Sequence, residues 1–160
     1  MILTRVRMEL SLPSDWTRSV GPGGLHIYGA PEPGLSILVW PLQPRIGTDV
    51  RAFLGVNRPP ISRLRVVQSM DLATESGWHI HLLTGLVDHA LGVETRLGAV
   101  YEVLHWVGFV LAIGTDAAVY AAYRERLVTW LVAARPNLQG DEPLCVKDLF
   151  DLSGLDEGPR

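Results

Sequence analysis

Cysteine is nearly absent from this 160-residue sequence, where Cys145 stands alone. A disulfide within the chain is therefore impossible, and a structural zinc site built on several thiolates is excluded with it. Charge is scarce, at 19% of residues, where about a quarter is usual. Positive charge is not in surplus: 14 basic residues face 17 acidic ones, a formal net charge of −3. General nucleic-acid binders are normally basic, so none is expected here. No long apolar run exists. The most apolar stretch, Val107 to Ala122, is interrupted by Gly114, Thr115 and Asp116. It falls short of the roughly 20 apolar residues that a helix needs to cross a bilayer, so no membrane insertion is expected. Met1 to Arg7 shows neither a basic start leading into an apolar run nor a small-residue cleavage site. We read no secretory leader there and expect a cytoplasmic protein.

What is present is apolar. A hydrophobic fraction of 48% excludes a disordered chain, and the length suits one domain with a sizeable core. Val6, Met8, Leu10 and Leu12 alternate with Arg7, Glu9 and Ser11, the period of a half-buried strand with its arginines outward. Pro13-Ser14-Asp15-Trp16 is a turn, and Gly21-Pro22-Gly23-Gly24 a loop. Strands are expected at Leu25 to Tyr28, Leu35 to Trp40, Leu64 to Leu72, Trp78 to Val87, Thr95 to Trp106 and Phe109 to Ile113. Asp88 to Gly92 reads as a hairpin loop and Val107-Gly108 as a tight turn.

Two helices are expected. Thr48 or Asp49 can cap a short one running to about Leu54. Thr115 and Asp116 can cap a long one from Ala117 to about Ala134, in which Tyr120, Tyr123, Leu127, Trp130, Leu131 and Ala134 form one apolar stripe. Pro136 ends it. This predicts an α+β domain over 1–136: an antiparallel sheet of about six to seven strands with both helices packed on it. Residues 137–160 read as an acidic-apolar tail in which Leu144 to Leu152 could add a helical turn or two.

The sequence resembles the PsbP/DcrB-like family of α/β/α sandwiches. Leu10-Ser11-Leu12-Pro13-Ser14-Asp15-Trp16 is similar to the family's opening strand and Leu-Pro-x-x-Trp turn. Asp49 to Leu54 sits where such proteins place a short helix. Ala99 to Leu104, Phe109 to Thr115 and the helix around Tyr123 to Val132 match the closing strand–strand–helix. The resemblance spans roughly residues 5 to 135. It implies a partner-binding protein, since the family is seldom enzymatic. Among the cytoplasmic members it includes the Eag-type chaperones of type VI secretion effectors, whose sheet cradles apolar helices of the effector.

Catalytic signals are thin. No Gly-x-Ser-x-Gly elbow occurs, and the glycines at 21–24 precede a strand rather than the helix a phosphate loop needs. Arg63 and Arg65, with Arg58 nearby, read as a solvated strand face. Asp71, Glu75 and Asp88 form no evident pair. His79-x-His81 is the sharpest constellation, because residues two apart share a strand face. A hairpin centred near Leu91 would set Glu102 opposite His79, completing three ligands. The alternative is that both imidazoles are polar residues of the less buried face, paired with Glu102. Two histidines fall short of a metal-ligand count, so no metal and no cofactor is assigned.

The informative excess is apolar. Leu38, Trp40, Leu83, Val100, Leu104 and Trp106 carry the parity opposite the residues expected under the long helix. A one-faced antiparallel sheet should be polar there. Either the chain covers this face itself, or the face docks a partner or a second copy. The expectation is therefore a non-enzymatic chaperone or adaptor, in which Leu38, Trp40, Leu83 and Leu104 bury a client's apolar segment and His79, His81 and Glu102 add polar contacts. The competing expectation is a structural subunit of a larger assembly, docking through the sheet and through Leu149 and Phe150 of the tail. A metal-dependent enzyme at His79 and His81 is a third.

Overall fold

The computed structural model describes residues 4–44, 65–74, 78–89, 92–104 and 106–143. The expected short helix at 48–54, the arginines at 58 and 63, and Leu149 and Phe150 lie outside these residues. Strands β1 (Thr4–Glu9), β2 (Thr17–Val20), β3 (His26–Gly29), β4 (Leu35–Val39) and β5 (Gln43–Pro44) come first. Then follow β6 (Arg65–Ala73), β7 (His79–His89), β8 (Gly92–Val103), β9 (Trp106–Gly114), the helix α1 (Ala117–Ala133) and β10 (Arg135–Pro143). The main sheet is antiparallel in the order β2-β3-β4-β9-β8-β7-β6, with the short β5 also paired to β9. The predicted α+β class, with an antiparallel sheet and a long helix packed on it, is the fold observed.

Period-two alternation explains the two faces. Leu35, Ile37 and Val39 of β4, Ile80 of β7, Leu97, Ala99 and Tyr101 of β8, and Val110 and Ala112 of β9 point to one side. They pack with Tyr120, Tyr123, Leu127 and Leu131 of α1. Leu127 and Leu131 are fully buried, and each such side chain stabilises the fold by about 2 kcal/mol through removal from water. Asp116 starts the helix as expected: its carboxylate accepts from the N–H groups of Ala118 and Val119 at 2.9 and 3.2 Å, satisfying two of the free donors of the first turn. Trp16 stands on the predicted Pro13 turn and meets Tyr123 and Trp130 of α1 edge-on, with ring centroids 6.0 and 5.4 Å apart.

Four expectations are corrected. Thr17–Val20, not among the expected strands, is a strand; its four residues are all exposed, so it carries no apolar alternation by which to recognise it. The residues after Pro136 do not begin a tail: β10 runs through the expected boundary and pairs antiparallel with β1. Arg7, expected on an outer strand face, is 4% exposed and donates from Nη1 to the Gly24 carbonyl at 2.8 Å. The last hairpin turns between Val103 and Trp106, not at Val107-Gly108, because those two residues pair. Gly108 lies within β9, where a Cβ would come 2.5 Å from Cδ2 of Leu42. That glycine permits close packing rather than a turn. Moving the turn also reverses a parity, so Trp106 packs on the helix side of the sheet, and Leu104 stands at the hairpin tip, 73% exposed, at φ 54°.

Candidate functional site

The face away from α1 was the expected docking surface. Trp40, Leu83, Val100, Val107, Phe109 and Leu111 do gather there with Leu25, and Leu38 packs against them. The Trp40 and Phe109 rings lie 5.2 Å apart. Trp40 is only 8% exposed and Leu83 1%, however. The chain itself buries this cluster, which is the first of the two explanations weighed for the apolar excess. Of the expected partner-binding residues, Leu38, Trp40 and Leu83 therefore belong to a second core, and Leu104 is separated from them at the hairpin tip.

An open apolar surface lies on the helix side. Helix α1 packs across β9, β8 and β7, and β6 projects beyond it as the last strand of the sheet. The overhang leaves a cleft of about 330 Å³ between α1 and β6–β7. Met70, Leu72, Leu82, Leu97, Val128 and Val132 line it, with Arg124 and Glu125 of α1 beside them. Strand β6 is exposed along nearly its whole length, including Val66, Val67 and Met70 at 40%, 53% and 52%. A register shift between Val66 and Gln68 bulges the strand at Val67, a device that commonly marks sheet edges. Among the described residues β6 has one neighbour, β7. Sequence reading missed this site. Its signal was Val66-Val67 and Met70 in a strand with too little alternation to bury either side.

The polar constellation sits on the other face of the same three strands. The predicted hairpin register holds, with His79 opposite Glu102. Yet it is His81 that engages Glu102, its Nε2 lying 2.9 Å from Oε2. Its Nδ1 lies 2.6 Å from Oδ1 of Asp71, the residue directly opposite His81 on β6. The imidazole thus bridges β6, β7 and β8. Side-chain exposure is 17% for His81, 16% for Glu102 and 65% for Asp71. Both ring nitrogens are taken up by carboxylates, which leaves neither for a metal. Among the described residues no group of three or more His, Cys, Asp or Glu is arranged to hold a metal ion. Asp71 was visible in the sequence only as an unpaired acid; the β6–β7 register, which sets Ala73 against His79, is what brings it to His81.

No protein-family model and no curated protein matches the sequence. Solved structures do resemble the fold. The cyanobacterial PsbP (CyanoP) of Synechocystis superposes with a TM-score of 0.59 at 11% identity, over 83% of this chain and 93% of that one. LpqN of Mycobacterium tuberculosis, a protein involved in cell envelope biogenesis, superposes with a TM-score of 0.52 at 14% identity, over 84% and 85%. The chain has a PsbP-like fold. At these identities the likeness concerns architecture alone. Among the described residues no helix is long and apolar enough to cross a membrane.

Proposed function

We propose that this chain is a non-enzymatic, cytoplasmic protein-binding domain, a chaperone or adaptor that holds an apolar segment of a client protein. The observation that carries this reading is the cleft beside β6, where a strand edge with no further neighbour among the described residues and an apolar trough occur together. Unpaired strand edges are templates for an added strand, and side chains alternating from such a strand would enter the trough lined by Met70, Leu82 and Val132. The use would parallel that of the Eag-type chaperones within the PsbP/DcrB-like resemblance, with the client at the sheet edge instead of the buried face.

The test is capture of a client from the native host by tagged protein. Met70→Asp and Val132→Asp, at sites 52% and 36% exposed, should leave the fold intact. Each should weaken capture at least about tenfold, because a charge would face apolar surface that must be dried. Trp40→Asp should instead unfold the domain. Undiminished capture by both cleft variants would reject the site. Several subunits recovered in fixed ratio would point to a permanent assembly in place of a chaperone.

A further inference from the structure

We propose that Met70 is a reversible oxidation site, at which hydrogen peroxide and a methionine sulfoxide reductase set the polarity of the cleft. What the switch controls rests on the cleft reading; the chemistry at the sulfur does not.

The sequence holds three methionines, Met1, Met8 and Met70, of which the structure describes the last two. Their access to solvent differs widely. Met8 is 2% exposed and belongs to the core shared with α1. Its Cγ lies 3.2 Å from where a Cβ on Gly108 would stand. Met70 is 52% exposed. It lies directly opposite Leu82 of β7, and both line the cleft with Leu72, Val128 and Val132. A thioether suits such a trough, because it is flexible, polarizable and adapts to varied apolar partners.

Oxidation requires the peroxide to reach the sulfur, which the core denies at Met8 and the cleft permits at Met70. A sulfur lone pair attacks one peroxide oxygen. The S–O bond forms as the O–O bond breaks, and the leaving hydroxide takes the proton of the transferred oxygen and departs as water. The sulfur is oxidised by two electrons and the peroxide reduced. A reductase reverses the step with two thiols, which become a disulfide while the oxygen leaves as water.

The product replaces an apolar side chain by one that ends in a strong hydrogen-bond acceptor. In the open cleft water meets that oxygen, so the fold is little affected. A seated apolar segment expels the water, and Leu82, Val128 and Val132 offer no donor in its place. Leaving a buried polar group unmet disfavours the bound state. Oxidation therefore releases the client, and reduction restores capture.

Peptide mapping by mass spectrometry, after graded hydrogen peroxide on Cys145→Ser protein, compares the two sites without interference from the only thiol. Met70 should oxidise at least about tenfold faster than Met8, which reacts only when the core opens, and a methionine sulfoxide reductase should reverse it. Equal rates, or a Met70 that resists peroxide, overturn the proposal. The dye anilinonaphthalene sulfonate then reads the cleft without any client. Oxidation should weaken its affinity roughly tenfold with Tm unchanged. Met70→Leu, which keeps the apolar volume, should bind the dye and ignore peroxide. Dye binding indifferent to oxidation, or an equal loss in peroxide-treated Met70→Leu, overturns the switch. Capture lost in Met70→Asp but undiminished by oxidation overturns the regulatory role. Capture indifferent to oxidation, Met70→Asp and Val132→Asp alike, with the dye response intact, rejects the cleft reading and upholds the switch.

Discussion

Tyr101→Phe tests how the helix is held to the sheet. Tyr101 is completely buried on β8, and its hydroxyl donates to the Leu131 carbonyl at 2.6 Å. Leu131 lies in the last turn of α1, where carbonyls have no partner further along the helix. The chain leaves the helix at Ala134 and enters β10 at Arg135, so the phenol supplies the acceptor's partner from another layer. Replacing it by phenyl keeps the ring and its packing. It removes one hydrogen bond and leaves a buried carbonyl unmet, a loss of about 2 kcal/mol. For a chain of 160 residues that lowers Tm by roughly 4–8 °C. Burial pushes the phenol far above its ordinary pKa, so it stays a donor and the deficit should be the same at acidic, neutral and mildly alkaline pH. Urea denaturation, with an unchanged m-value, measures the loss. A variant as stable as the wild type would refute the claim that this bond anchors the helix end.

Two further outcomes follow from other contacts. At Gly114 a Cβ would lie 2.6 Å from Cβ of Tyr120, so Gly114→Ala must push α1 away from β9. A loss of about 1–3 kcal/mol is expected by urea denaturation, and a neutral effect would mean the helix start is loosely seated. Glu32 accepts a hydrogen bond from the Tyr123 hydroxyl, which holds its carboxyl below the usual range. A depressed folded value means the stabilisation is present at neutral pH and is lost as pH falls through that value. Tyr123→Phe should raise the Glu32 titration toward the ordinary carboxylate range by carbon-13 NMR; an unmoved titration would break the assignment.

The legible part of the fold was the part written in short-range periodicity. The alternation at Trp78, Ile80 and Leu82 and the stripe from Tyr120 to Leu131 each report a local geometry that repeats every 2 or 3.6 residues. Asp116 announced the helix start because capping is a contact between near neighbours. The turn between Val103 and Trp106 was not legible, since Leu at positive φ, as Leu104 is, is unfavourable and the neighbouring Val107-Gly108 carried the stronger turn signal. The reason for Gly108 lies in Leu42, a residue distant in sequence. The same holds for β2 and β10, whose pairing with β3 and β1 supplies the order their own side chains do not encode.

Sequence alone determined the α+β class, the two-sided apolar sheet and the closeness of His79 to Glu102, because each depends on parity within a strand or across one hairpin. Tertiary structure decided which apolar residues are free. Trp40 and Leu83 read as surface by parity but are buried, while Met70 and Val132 became a cleft only because α1 stops short of β6. It also chose His81 over His79 as the bridging residue. Exposure and cross-strand contact are properties of what packs against a residue, and that partner is set by the whole chain's topology, which no local pattern contains.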